Sequence, residues 1–228
     1  MLVSFLCCTK KKIPDESSLL GLAYYPVTPG KYVIYDVDSL VYGQLPRDTV
    51  LYKYRIKEKL ADTFSDSQGR QAIRLERYIK RYDPARSYDS LPWTIKEVWM
   101  VNADNKSVQV VESNTRYTKL IFPIQEKAGW NGNAYNTIGE WEYFYDYVDR
   151  SESFNQIRVD QVLKVIQKEY RTLISYQSYT EKYGKDIGLV YREIKDLLSN
   201  RITAGVPVED RIESGVIYKQ TLVNYGYE

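Results

Sequence analysis

The sequence predicts an all-β fold: an antiparallel meander of about ten strands forming a strongly curved sheet or partly open barrel. Three observations predict it. Apolar and polar side chains alternate over most of the chain after residue 31. Turn-forming residues punctuate the alternating runs. Tyrosine is abundant, with 23 in 228 residues, and tyrosine suits half-buried sheet positions where the ring packs and the hydroxyl stays wet.

The elements follow in order. Residues 31–42 carry apolar groups on both faces (Tyr32, Val33, Ile34, Tyr35, Val37), which fits a covered strand. Residues 50–60 place Val50, Tyr52, Tyr54, Ile56 and Leu60 on one face and Lys53, Arg55, Lys57 and Lys59 on the other. Asp66-Ser67-Gln68-Gly69 reads as a hairpin turn into 70–82, where Ile73, Leu75 and Ile79 alternate with Arg74, Glu76 and Lys80. A loop from Asp83 to Pro92 precedes a strand over 93–101, with Trp93, Ile95 and Trp99 expected on one side. A turn at 102–106 leads to strands over 107–113 and 117–124, and a loop rich in Gly and Asn spans 128–139. Residues 141–148 put Trp141, Tyr143, Tyr145 and Tyr147 on one face, and 156–168 alternate again. Residues 169–184 fit either strand and loop or a short helix, and strand is preferred. Strands over 187–198 and 215–225 close the chain around a loop from Asn200 to Asp210. A sheet of this size must curl, close or split.

Apolar residues make up 43% of the chain, enough for a sizeable core. Lys and Arg total 32 against 30 for Asp and Glu, so a net charge of +2 gives no broad pull toward nucleic acid. Residues 50–86 are locally basic, with ten cationic side chains against five acidic ones, and read as a solvated face on two strands. Histidine is absent. That excludes Ser-His-Asp and Cys-His catalysis within the chain and removes the commonest general base.

The two cysteines, Cys7 and Cys8, are adjacent and build no disulfide framework. They follow the apolar run Met1 to Leu6 and precede a polar stretch opening with Thr9, Lys10, Lys11 and Lys12. This arrangement resembles the end of a bacterial lipoprotein signal peptide, and Ser4-Phe5-Leu6-Cys7-Cys8-Thr9 followed by three lysines resembles lipoproteins of the Bacteroidota. The resemblance implies cleavage before a cysteine that then carries lipid. Cys8, preceded by the smaller Cys7, is the expected site, with Cys7 as the alternative. Residues 1–8 are then the remnant of a signal peptide, 9–22 a polar tether, and 23–228 a single β domain. No run of 18 apolar residues occurs, so no membrane-spanning helix is expected.

Three further segments resemble Bacteroidota cell-envelope lipoproteins of unknown function: Tyr24 to Asp38, Trp130 to Asn136, and Glu181 to Glu193. The resemblance implies an outer-membrane lipoprotein, facing the periplasm or the cell surface, with a β fold. It carries no catalytic residues and no cofactor.

One local constellation stands out. Trp130 and Tyr135 offer stacking faces, and Asn131, Asn133 and Asn136 offer amide hydrogen bonds, which is the parts list of a sugar-binding patch. Asn-Gly is also ordinary turn chemistry. Glu97, Glu112, Glu140, Glu142 and Glu193 are the acids from which a glycoside-hydrolysing pair could be drawn. No metal-ligand spacing is present. The expectation is a non-catalytic, lipid-anchored envelope module that binds or braces, with an apolar ligand, lipid or glycan as partner. A glycan-binding protein or glycan-processing enzyme using a carboxylate pair is the alternative.

Overall fold

The computed structural model describes residues 19–43 and 49–228. Residues 1–8, with Cys7 and Cys8, and most of the expected tether lie outside them.

Among the described residues, twelve antiparallel strands form one sheet. They are β1 Lys31–Tyr42, β2 Thr49–Ser65, β3 Gln71–Arg81, β4 Thr94–Ala103, β5 Ser107–Glu112, β6 Thr115–Ile121, β7 Gly129–Asn131, β8 Glu142–Phe154, β9 Ile157–Arg171, β10 Ser175–Gly184, β11 Gly188–Leu198 and β12 Ser214–Tyr227. The order is β6-β5-β4-β3-β2-β1-β12-β11-β10-β9-β8-β7. Every neighbour is therefore a sequence neighbour except at one place, where β1 pairs with β12 from Lys31↔Tyr227 to Tyr42↔Gly215. That ladder joins the two ends of the chain. The edge strands β6 and β7 follow each other in sequence, and hydrogen bonds across their seam leave a nearly closed barrel.

The meander and its curvature agree with the sequence expectation, and two strands are added. Short β7 forms inside the expected loop 128–139. The ambiguous stretch 169–184 divides into the end of β9 and all of β10. At the Asp66 turn, the Asp66 carboxylate accepts hydrogen bonds from the backbone N–H groups of Gln68 and Arg70, each at 2.9 Å. Gly69 takes the positive φ of 73° that the turn requires.

One expected face is corrected. Trp99 is buried, but Ile95 is 59% exposed. Arg77 pairs with Glu97 and Tyr78 with Ile95, so Lys96 is the extra residue of a bulge. A bulge reverses the alternation beyond it, which turns Ile95 outward while Trp99 stays in. The locally basic stretch also departs from a wholly solvated face, because Arg77 is only 4% exposed.

The core runs along the inside of the barrel. Tyr35, Tyr143, Tyr145 and Tyr183 are fully buried, together with Ile56, Leu120, Leu163 and Leu222. Each such apolar side chain contributes about 1.5–3 kcal/mol by leaving water. The β8–β9 turn folds back onto the outer face, where Asn155 donates to the Leu222 carbonyl in the middle of β12. The barrel end holding the first residue of β1 also holds the described N-terminal segment, which includes a 3-10 turn at Leu22–Tyr24.

Candidate functional site

Alternation places charged side chains at inward positions. Glu58 stands between Ile56 and Leu60, Arg77 between Leu75 and Ile79, and Arg192 between Val190 and Ile194. Glu112 continues the inward run of Val108 and Val110. Lys119 arrives by a different route. Val108 pairs with Leu120 and Gln109 with Thr118, so Lys119 is the extra residue of a β6 bulge and is buried.

These groups meet across the barrel. The Lys119 ammonium lies 2.7 Å from Glu112 and 3.0 Å from Glu181. Arg192 Nη2 lies 3.0 Å from Glu112 and 2.7 Å from Glu181. Two carboxylates and two cations thus form a closed quartet joining β5 and β6 to β10 and β11. The second oxygen of Glu181 accepts hydrogen bonds from Gln167 Nε2 and from the Tyr183 hydroxyl, each at 2.6 Å. Nearby, Arg77 donates to Glu58 at 2.9 Å, contacts Glu97, and stacks its guanidinium 3.8 Å from the Trp99 ring. The Tyr35 hydroxyl donates to the Leu189 carbonyl at 2.9 Å.

Burial alone would raise the pKa of Glu112 and Glu181. The charges of Arg192 and Lys119 outweigh it and hold both carboxyls below their ordinary range. Burial likewise works against the Arg192 cation, but Glu112 and Glu181 push its pKa up. Opposed charges thus hold Glu112, Glu181 and Arg192 in their charged forms. A general acid for glycosidic cleavage needs a carboxyl whose pKa is raised toward neutrality, and the quartet does the reverse.

The other candidate acids lie in different surroundings. Glu97 is bound by Lys96 and Arg77, and its pKa is about 2: partial burial would raise it, but these cations lower it. Glu193 lies between Lys195 at 3.3 Å and Lys219 at 3.5 Å. Glu140 and Glu142 are exposed where the chain enters β8.

The Trp130 constellation sits at the β6–β7 seam. The Trp130 ring packs on Tyr145 and Tyr143, with centroids 4.7 and 5.9 Å away, and its Nε1 donates to the Thr118 carbonyl at 2.8 Å. Asn131 Oδ1 accepts from the Asn133 backbone N–H at 2.9 Å. Asn133 is buried, donates to the Gly139 carbonyl at 2.8 Å and accepts from Asn136 at 3.1 Å. Asn136 also donates to the Arg116 carbonyl on β6 at 2.8 Å. Tyr135, by contrast, is 60% exposed. The three amides therefore engage the loop's own backbone and β6. Gly132 completes the seam: it accepts from the Thr118 N–H at 2.9 Å, and a Cβ there would stand 2.3 Å from the Tyr143 ring. The Tyr145 hydroxyl adds two bonds to Ile121, accepting from its N–H and donating to its carbonyl.

The N-terminal segment is fastened to the barrel end. Ile124 N–H donates to the Leu20 carbonyl at 3.1 Å, and Asp186 N–H to the Ala23 carbonyl at 2.7 Å. Tyr24 is buried and donates to Asp149. The buried Lys31 ammonium reaches the Asp186 carbonyl at 2.6 Å. Between this segment and the core lies a cavity of about 40 Å³, lined in part by Tyr25, Lys31, Glu58 and Leu189. It has room for a water molecule or two.

No protein-family model matches the chain, and no curated protein matches it. Among solved structures, it is similar to a crystal structure from Parabacteroides distasonis ATCC 8503, of a protein provisionally described as a lipoprotein. The two share 10% identity with a TM-score of 0.38, over 89% of this chain and 98% of the other. At that score, nothing is carried from that protein to this one.

Proposed function

We propose that this chain is a lipid-anchored module of the bacterial cell envelope that acts by binding or bracing rather than by catalysis. Cys8 is the anchoring residue, with Cys7 as the alternative, and the outer membrane is the proposed address. The observation that carries the reading is the join between sequence and fold. A lysine-rich polar stretch follows an apolar run ending in cysteine, and the chain then enters one end of a barrel where residues 20–31 are tied down by backbone and lysine hydrogen bonds. A lipid upstream of that point would hold this end toward the bilayer and leave the opposite loops and the outer strand faces free. Stable attachment takes more than one acyl chain. The non-catalytic part of the reading is supported by the interior charges, which are matched to one another, with the Glu112 and Glu181 carboxyls held below their ordinary range by Arg192 and Lys119.

Mass spectrometry of the mature N-terminus, on protein made from its own locus, tests the reading. A lipid-modified cysteine at position 8 or 7 is expected, and Cys8→Ser with Cys7→Ser moves the protein out of the membrane fraction. An unmodified Met1 in the membrane-free fraction would overturn it.

A further inference from the structure

The geometry points to a ligand site on the outer face of β1: a groove that takes a neutral, hydroxyl-rich ligand, a glycan. The groove measures about 330 Å³, within the roughly 300–1,000 Å³ of small-ligand sites. Its floor comes from outward residues of three adjacent strands. Asp36 and Asp38 of β1 pair with Arg55 and Lys53 of β2 on one side and with Thr221 and Lys219 of β12 on the other. Two elements rise beside this floor. The β3–β4 loop brings Tyr82 and Tyr88, whose ring centroids are 6.3 Å apart, and the β8–β9 turn brings Asn155.

Charge pairing selects the ligand class. Asp36 accepts from Arg55 at 2.8 Å, while Asp38 and Lys53 are 3.7 Å apart and both about half exposed. Lys219 has Glu193 at 3.5 Å. Acids and bases therefore alternate across the floor, leaving no net field to favour an anion or a cation. A vicinal diol suits such a floor, because one hydroxyl can donate to a carboxylate while its neighbour accepts from an ammonium. Tyr82, 55% exposed, supplies a ring face for the C–H side of a pyranose.

The walls are already in place. Lys80 donates to the Tyr88 carbonyl at 2.8 Å, Arg55 lies 4.5 Å from the Tyr88 ring, and Asp83 holds the Ala85 N–H at 2.9 Å. Asn155 is fixed by its donation to the Leu222 carbonyl at 2.7 Å. Binding thus requires little ordering of the site, which favours affinity from a modest contact area. The seam loop around Trp130 has similar residue types but directs its amides into its own backbone. This inference deepens the reading of the chain as a binding module and does not depend on the anchor.

The test is calorimetric titration of the purified full chain with neutral hexasaccharides (cellohexaose, xylohexaose and mannohexaose) and with anionic hexagalacturonate as comparator. At least one neutral hexasaccharide is expected to bind. Tyr82→Ala and Asp38→Asn should each weaken it roughly tenfold, with an unchanged Tm because both side chains are exposed. Tyr135→Ala at the seam should leave affinity unaltered, and so should Cys8→Ser, which separates failure of the groove from failure of the anchor. Three results would overturn the inference: no neutral hexasaccharide binding at millimolar concentration, affinity retained in both groove variants, or tighter binding of hexagalacturonate.

Discussion

The same residue types do opposite work in two regions of this barrel. Inside, Glu181, Lys119 and Arg192 are buried and Glu112 nearly so, each ion within 3.0 Å of two partners. Outside, Asp38 and Lys53 face each other at 3.7 Å with about half of each side chain in water. Burial makes the difference. A buried ion that loses its partner pays a desolvation penalty that water cannot relieve, whereas an exposed ion exchanges a weak partner for solvent at almost no cost. The inner set is therefore committed to the fold, and the outer set is free to meet a ligand.

That contrast can be broken most severely at Arg192. Arg192→Met leaves two carboxylates sharing only Lys119, and should lower stability by about 3–5 kcal/mol. In a chain of this length that corresponds to a Tm lower by about 10 °C, readable by circular dichroism. Acid probes the same cluster without mutation. Glu112 and Glu181 have lowered pKa values in the fold, and Glu97 lies at about 2 against an ordinary 4.5. The unfolded chain therefore binds protons first as pH falls, and the stability these carboxylates supply is fully present above about pH 5. Urea midpoints should be flat from there to neutrality and should fall from about pH 4.5 toward pH 2. A midpoint rising over that acid range would contradict the assignment.

Smaller effects sharpen the comparison at its margins. Tyr145→Phe removes the hydroxyl that serves both backbone groups of Ile121 across the seam, and should cost about 1–3 kcal/mol by leaving those groups unsatisfied. At the outer pair, Asp38→Asn should change stability by less than about 1 kcal/mol in the same urea titration.

Much of the fold was legible because period-2 alternation is a local signal. The face of Tyr54, Ile56 and Leu60 and the face of Tyr143, Tyr145 and Tyr147 can be read without knowing what they pack against. The inner ions left a readable trace too. Glu58, Arg77 and Arg192 each interrupt an apolar series at its own phase, and a charge on the inward register is a mark of a buried network. Reading residues 50–86 by charge density alone obscures that phase for Arg77. Bulges were not legible. Lys96 and Lys119 become extra residues only because of how their strands register with β3 and β5, which no local pattern records. Nor could the partners of Asn133 and Asn136 be foreseen. The loop composition is visible in sequence, but Gly139 and Arg116 become acceptors only once the loop folds back and β6 arrives beside it.

The inner ions act as one coupled unit that holds opposite walls of the barrel together. A double-mutant cycle with Glu181→Gln and Arg192→Met, followed by urea unfolding, tests it most directly. A coupling energy above about 1 kcal/mol is expected between the two substitutions. Additivity within about 0.5 kcal/mol would show instead that Glu181 and Arg192 act independently and that no coupled unit joins the walls.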